Sequence, residues 1–226
     1  MISPNDENVV LFMPFSEGSG STAYDYSVHS NNGSITGASY VKVKDGDYAM
    51  SFDGSADKRV DIPDSSELRN TDLTIGMWVM LKGNLSSYQQ YLIKGRDSQT
   101  QYYSLQYRGG DSKSFSASFK DDSGNTGYSA SGILTPAINE WHFVVGVFDR
   151  TAKKSSVYVD GEFDSESNVV SGTVSLGNTG VLRIGEMDTS GTYSFPVNGK
   201  IRLPFIINTK LSQDAIKKIY QDTYIE

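Results

Sequence analysis

Three acids alternate along Glu162-Phe163-Asp164-Ser165-Glu166. In an extended segment every second side chain shares a face, so Glu162, Asp164 and Glu166 would stand in a row. Rows of carboxylates suit acid–base chemistry, in which one group donates a proton while a neighbour stays ionised. This row follows directly on the turn dipeptide Asp160-Gly161, and Ser165 is polar where a catalytic strand would be embedded by apolar residues. A second group is rich in aromatic and amide side chains. Tyr102, Gln106 and Arg108 fall on the polar side of an alternating run, with Tyr103, Leu105 and Tyr107 opposite, and Tyr88, Gln89 and Gln90 precede them. Aromatic faces stack on sugar C–H surfaces, and amide and guanidinium groups bond hydroxyls. Tyr88, Gln90, Tyr102, Gln106 and Arg108 are therefore the expected ligand-binding residues, and carbohydrate the expected ligand. The competing reading is that the tyrosines only cover a sheet face. Asp25, Asp53 and Asp188 are the loop acids suited to a cation. His29 and His142 have no partner spacing, and His142 beside Trp141 reads as a half-buried structural residue.

The elements that must position these groups are short strands. Trp141 to Phe148 and Ser156 to Val159 flank a polar loop and form a hairpin. Both faces of its first strand are apolar, so it belongs in the middle of a sheet. Asp160-Gly161 supplies the positive φ values of a tight turn. Further strands are expected at Val9 to Phe15, Ala49 to Phe52, Arg59 to Ile62, Leu73 to Leu81, Gln90 to Lys94, Gln101 to Arg108 and Ser114 to Lys120. Others are expected at Thr173 to Leu176, Val181 to Ile184 and Lys200 to Ile207, with Ser16 to Asn32 and Asp121 to Gly132 left as loop and turn. Asp64 to Leu68 reads as one helical turn. From Ser212 the period changes: Ala215, Ile216, Ile219 and Tyr220 follow helical spacing, with Ser212 as N-cap and Leu211 stapled to Ile216.

The totals agree. The 226 residues fit one all-β domain spanning 1–226, with a core from about 9 to 220, and 22 glycines and 14 tyrosines suit strands and turns. A net charge of −7 disfavours nucleic acid and anionic membranes, which need a positive field. With no cysteine, disulfides and thiolate metal sites are excluded. Met1 to Asn8 has neither the basic nor the apolar region of a signal peptide, and no apolar run is long enough to span a bilayer. Either a piece of a longer secreted protein or a chain exported without a signal, for example on a virus particle, would fit.

Several stretches occur in the order found in the laminin-G-like branch of the concanavalin A-like lectin and glucanase superfamily. They include Leu11 to Gly20, Tyr24-Asp25-Tyr26-Ser27, Ser51-Phe52-Asp53-Gly54 and Met77-Trp78-Val79. Val60 to Asp64, Leu73-Thr74-Ile75, Glu140-Trp141-His142, Tyr158-Val159-Asp160-Gly161, Leu182-Arg183-Ile184-Gly185 and Asn198-Gly199-Lys200-Ile201 belong to the same series, which ends at Leu211-Ser212. The chain resembles that branch from about Val9 to Tyr220. The resemblance implies a two-sheet antiparallel jelly-roll sandwich, here with a short C-terminal helix. It also implies a possible structural calcium, held by an acid after Gly-x-Ile together with oxygens of the first loop and the Phe-Asp-Gly turn. Arg202 stands in place of that acid, which argues against the ion, and is expected to pair with Asp53 or Asp25. Glu162, Asp164 and Glu166 match the E-x-D-x-E row of glucanases in the superfamily, where such acids act as nucleophile, helper and general acid in retaining hydrolysis.

The function expected is a non-catalytic, lectin-like module that recognises a glycan or a surface partner through a sheet face or rim loops, outside the cell or on a particle, as monomer or oligomer. A structural or host-adsorption protein of a virus particle and a retaining β-glucan hydrolase are the alternatives.

Overall fold

The computed structural model describes residues 2–44, 46–69, 72–83, 86–95, 102–120, 126–128, 134–169, 178–189 and 192–224. Its strands run β1 (Val9–Phe12), β2 (Thr22–Ala23), β3 (Gly33–Thr36), β4 (Ser39–Lys44), β5 (Asp47–Asp53), β6 (Arg59–Ile62), β7 (Leu73–Leu81), β8 (Gln89–Lys94) and β9 (Tyr102–Arg108). There follow β10 (Ser114–Lys120), β11 (Thr126–Tyr128), β12 (Trp141–Asp149), β13 (Lys154–Val159), β14 (Glu162–Glu166), β15 (Leu182–Ile184), β16 (Met187–Thr189), β17 (Thr192–Ser194) and β18 (Asn198–Ile207), then helix α1 (Gln213–Thr223). They form the expected all-β jelly-roll sandwich of two antiparallel sheets with one short helix.

One sheet has the order β14-β13-β12-β7-β18-β5-β4, with β1 paired to the second half of β18. The other has the order β11-β10-β9-β8-β15-β6-β3-β2, and β16 and β17 form a separate hairpin. β7 and β12 lie at the middle of the first sheet because both of their faces are covered. Met77, Val79, Val144 and Phe148 face the second sheet, where they meet Leu105, Phe115 and Phe119 in the main core. On the opposite face Trp78, Phe143, Val145 and Phe205 pack under Ile216 and Ile219 of α1 and under Ile2. Full burial of each such side chain contributes about 1.5–3 kcal/mol. The Trp78 ring stacks on Tyr220 at 5.5 Å, and its indole N–H donates to Thr223 Oγ1 at 2.9 Å. α1 is fixed at its start by Ser212, whose hydroxyl accepts from Ala215 N at 3.3 Å.

The hairpin turn has the expected backbone, with φ 53° at Asp160 and 84° at Gly161. β18 is interrupted between Arg202 and Phe205, where Leu203 takes φ 51° beside Pro204. Proline has no ladder donor, so the strand bulges there. Sequence periodicity missed β2, β3 and β4, which are short or mostly exposed, and the hairpin β16–β17. Within the segment read as a turn, Thr126–Tyr128 pairs with β10. The strand expected at Thr173 to Leu176 lies outside the described residues. Ser65 caps the 3-10 turn Ser66–Leu68 without a side-chain bond.

Candidate functional site

The solvent-facing side of the second sheet carries a cleft of about 290 Å³. β8 and β9 build its floor. Their register sets Gln90 against Gln106 and Ile93 against Ser104, while Leu105, Tyr103 and Tyr107 point into the core. All five residues expected to bind ligand, Tyr88, Gln90, Tyr102, Gln106 and Arg108, line this cleft. Strand alternation places the last three on one face. Tyr88 reaches them because Gly109 lets the preceding loop close on the end of β9: a Cβ there would meet Ser86 O at 2.4 Å, and Gly110 N donates to that oxygen at 2.9 Å.

The five differ in what they can still do. The Gln90 side chain is 2% exposed, and its amide nitrogen donates to Leu92 O at 2.8 Å and Leu105 O at 3.1 Å. It is thereby committed to the bulge where Tyr91 leaves the ladder. Ser104 is spent on Ser118 at 2.7 Å. Among the described residues the Gln106 amide and the Tyr88 phenol have no hydrogen-bond partner, so both keep donors and acceptors for a ligand. Among the described residues lining the cleft, Arg108 is the one that carries a charge. Lys120 stands over the Tyr102 ring, 5.9 Å from its centroid. Behind the floor, burial pushes the Tyr107 phenol up to about 12 and holds it neutral.

Two residues of the site escaped sequence reasoning. Met187 packs on Ile93 and Tyr102 as an apolar patch, and the Phe195 ring meets the Tyr88 ring at 5.7 Å. Both belong to the β16–β17 hairpin and its exit. The signal for it was the pair of short β-prone stretches around Ser190-Gly191. Gly185 lets the hairpin leave β15, since a Cβ there would lie 2.3 Å from Phe52 and its φ is 106°.

The acid row is dispersed. Glu162 is bonded to Lys217 and Gln213 of α1, and Lys217 holds its carboxyl below the usual range. Asp164 accepts from Leu134 N at 3.2 Å, and Glu166 pairs with Lys154. The bulge between Val157 and Tyr158 breaks the alternation on which a common face depends.

The loop acids do not gather either; among the described residues no three metal-binding side chains cluster. Asp25 is 6% exposed and accepts from Phe12 N, Ser27 N, Ser27 Oγ and Asn31 N at 2.7–2.9 Å. Four donors fill a carboxylate, so Asp25 as arranged does not fit a calcium ion. Asp53 is exposed and caps Ser55 N at 2.9 Å, and the side chain of Asp188 lies outside the described structure. The pairing expected of Arg202 is corrected. It points beneath α1, donating to Thr223 O at 3.1 Å and facing Asp47 at 3.5 Å, and not toward Asp25 or Asp53. Its cation offsets the negative C-terminal end of the helix.

His142, expected as a structural residue, is 8% exposed, and its Nδ1 lies 2.9 Å from Asp160 Oδ2, while Asp160 Oδ1 accepts from Phe143 N at 2.8 Å. The carboxylate ties the turn back to β12. His29 contacts Glu7 O at 2.9 Å.

A family model described as the concanavalin A-like lectin/glucanases superfamily matches residues 53–217. No curated protein sequence matches. Among solved structures, Domain 4 of AbnA, a GH43 extracellular arabinanase from Geobacillus stearothermophilus in complex with arabinotriose, is 15% identical with a TM-score of 0.74, over 94% of this chain and 98% of that one. The binding domain of Paraclostridial Mosquitocidal Protein 1 is 13% identical with a TM-score of 0.73, over 96% of this chain and 52% of that one. Trypanosoma rangeli sialidase with 2,3-difluorosialic acid is 16% identical with a TM-score of 0.71, over 98% of this chain and 34% of that one. This chain thus spans about half of the mosquitocidal domain and a third of the sialidase; at these identities the likeness is one of fold. Among the described residues no helix is long and apolar enough to cross a membrane.

Proposed function

The chain belongs to the concanavalin A-like lectin/glucanases superfamily, and from that membership we propose that it is a non-catalytic module that binds a glycan in the cleft between Tyr88, Gln106 and Arg108. The observation that carries this reading is an uncommitted Gln106 amide and an uncommitted Tyr88 phenol in the same cleft, whose other polar groups are largely engaged in the fold. Such a pair offers a sugar both hydroxyl partners and an aromatic face. Domain 4 of the extracellular arabinanase, which this chain covers almost end to end, carries arabinotriose. That supports a glycan as the ligand class and an encounter outside the cell. The dispersal of Glu162, Asp164 and Glu166 among separate partners weighs against hydrolysis, which needs two carboxyl groups flanking one bond.

Binding to a broad glycan panel, followed by calorimetry with the best ligand, tests the reading. Gln106→Ala should weaken binding about tenfold while leaving the fold intact, because the lost group makes one or two bonds to the sugar alone. Gln90→Ala should chiefly lower stability, through the bulge it fills. Silence of the folded protein across the panel, or binding indifferent to Gln106→Ala, would refute the assignment.

A further inference from the structure

Phe195 is a large apolar side chain that the fold does not bury. It is 43% exposed and sits at φ 56°, a left-handed conformation that is strained for a bulky side chain. It belongs to none of the buried clusters, so no core packing offsets that strain. The backbone nonetheless holds it firmly. Gln90 N donates to Phe195 O at 2.9 Å, and Val197 N donates to Gly185 O at 2.8 Å, which pins the chain on both sides of the ring. The ring lies at 56° to that of Tyr88, itself 41% exposed, and both rings line the same cleft as the Gln106 amide. Gln90 thus has two tasks: its side chain fills the bulge and its backbone N–H fixes Phe195.

Resting on the glycan-binding reading above, we propose that Phe195 and Tyr88 form an angled aromatic platform, in which Phe195 stacks on the C–H face of one sugar ring and the tilted Tyr88 ring closes on its edge, placing the sugar's hydroxyls at the Gln106 amide. Phe195 is then a specificity residue, and its strained backbone is retained for binding. The cleft, at about 290 Å³, lies at the small end of ligand sites. The unit read is therefore one or two sugar rings, and longer oligomers gain nothing from further rings.

Calorimetry with lactose, maltose, cellobiose and arabinotriose on the intact chain tests this, alongside thermal melts. Phe195→Ala should weaken binding of the preferred sugar about tenfold, as loss of a stacking face does, and Phe195→Tyr should restore it. Phe195→Gly should lose the same affinity while its melting temperature rises by a few degrees, because glycine relieves the left-handed strain. A melting temperature that falls in Phe195→Gly would make the residue a structural one and overturn the platform. If Gln106→Ala abolishes binding but Phe195→Ala binds like wild type, the platform fails and the glycan reading survives. If the folded wild type binds none of these sugars and none of the wider panel, both fail.

Discussion

Lys94 is wholly buried at the end of β8, and substituting it by methionine decides whether a buried ammonium holds this fold together or burdens it. Its Nζ donates to Asp64 Oδ1 at 2.7 Å, to Asn178 O at 2.9 Å and to Gly180 O. All three protons are used. Burial depresses the ammonium's pKa, and the Asp64 pair opposes that shift only in part, so desolvation is the larger effect on its charge. In Lys94→Met the stem is kept, the desolvation cost disappears, and Asp64 retains Arg69 as a partner, so no charge is stranded. Two backbone carbonyls, however, lose their donor, at about 1–3 kcal/mol each when water cannot replace it. Against the relief of desolvation, which can reach several kcal/mol, full use of every donor tips the balance toward loss. The net expected is about 2 kcal/mol, or a fall of about 4–8 °C in Tm for a chain of this size. Urea unfolding checks it: the midpoint should drop with the slope unchanged. An unchanged or raised midpoint would refute the reasoning and show that desolvation outweighs the three bonds.

Two further outcomes follow from the polar ties. The Arg69 and Lys94 cations hold the Asp64 carboxyl below the usual carboxylate value. The folded state therefore binds fewer protons than the unfolded one, and this contribution is complete above about pH 4 and lost as pH falls through the depressed value. Urea midpoints between about pH 5 and 2 should fall less steeply in Asp64→Asn; identical slopes would rule the coupling out. Asp160→Ala removes acceptors for Phe143 N and His142 Nδ1 and puts a Cβ-bearing residue without polar compensation at φ 53°. A loss of about 3 kcal/mol is expected, against about 1 for Asp160→Asn, which keeps one acceptor and tolerates the backbone. Equal losses in the two variants, measured by chemical denaturation, would show that only the charge matters.

Much of the fold was legible because its signals are local. β7 and β12 are apolar on both faces, and that alone placed them mid-sheet. The alternation of β9 also told which of its side chains would face the cleft, so Tyr102, Gln106 and Arg108 were found together. Which of the cleft residues remain chemically available was not legible, because Gln90 is consumed by a bulge whose partner carbonyl, Leu105 O, comes from another strand. Phe195 and Met187 were missed for a related reason: their hairpin matters only through its docking on β8 and β9. The partners of Arg202 are not legible in the sequence, because sequence order does not say which part of the chain lies over β18. The His142–Asp160 pair was not legible either, because it depends on the β12–β13 register, which sets Val144 opposite Val159 and brings the turn beside His142.

Ile2 and α1 lie together on the outer face of the first sheet, while the cleft opens on the outer face of the second. Anything joined at either terminus, whether a neighbouring polypeptide, a bead or a sensor surface, therefore approaches from behind. Copies strung in tandem or displayed on a scaffold would all present this cleft outward without rearrangement, so that, on the binding reading proposed above, every copy could engage at once. Weak individual contacts can then sum into strong attachment, provided the linkers span the spacing between target groups.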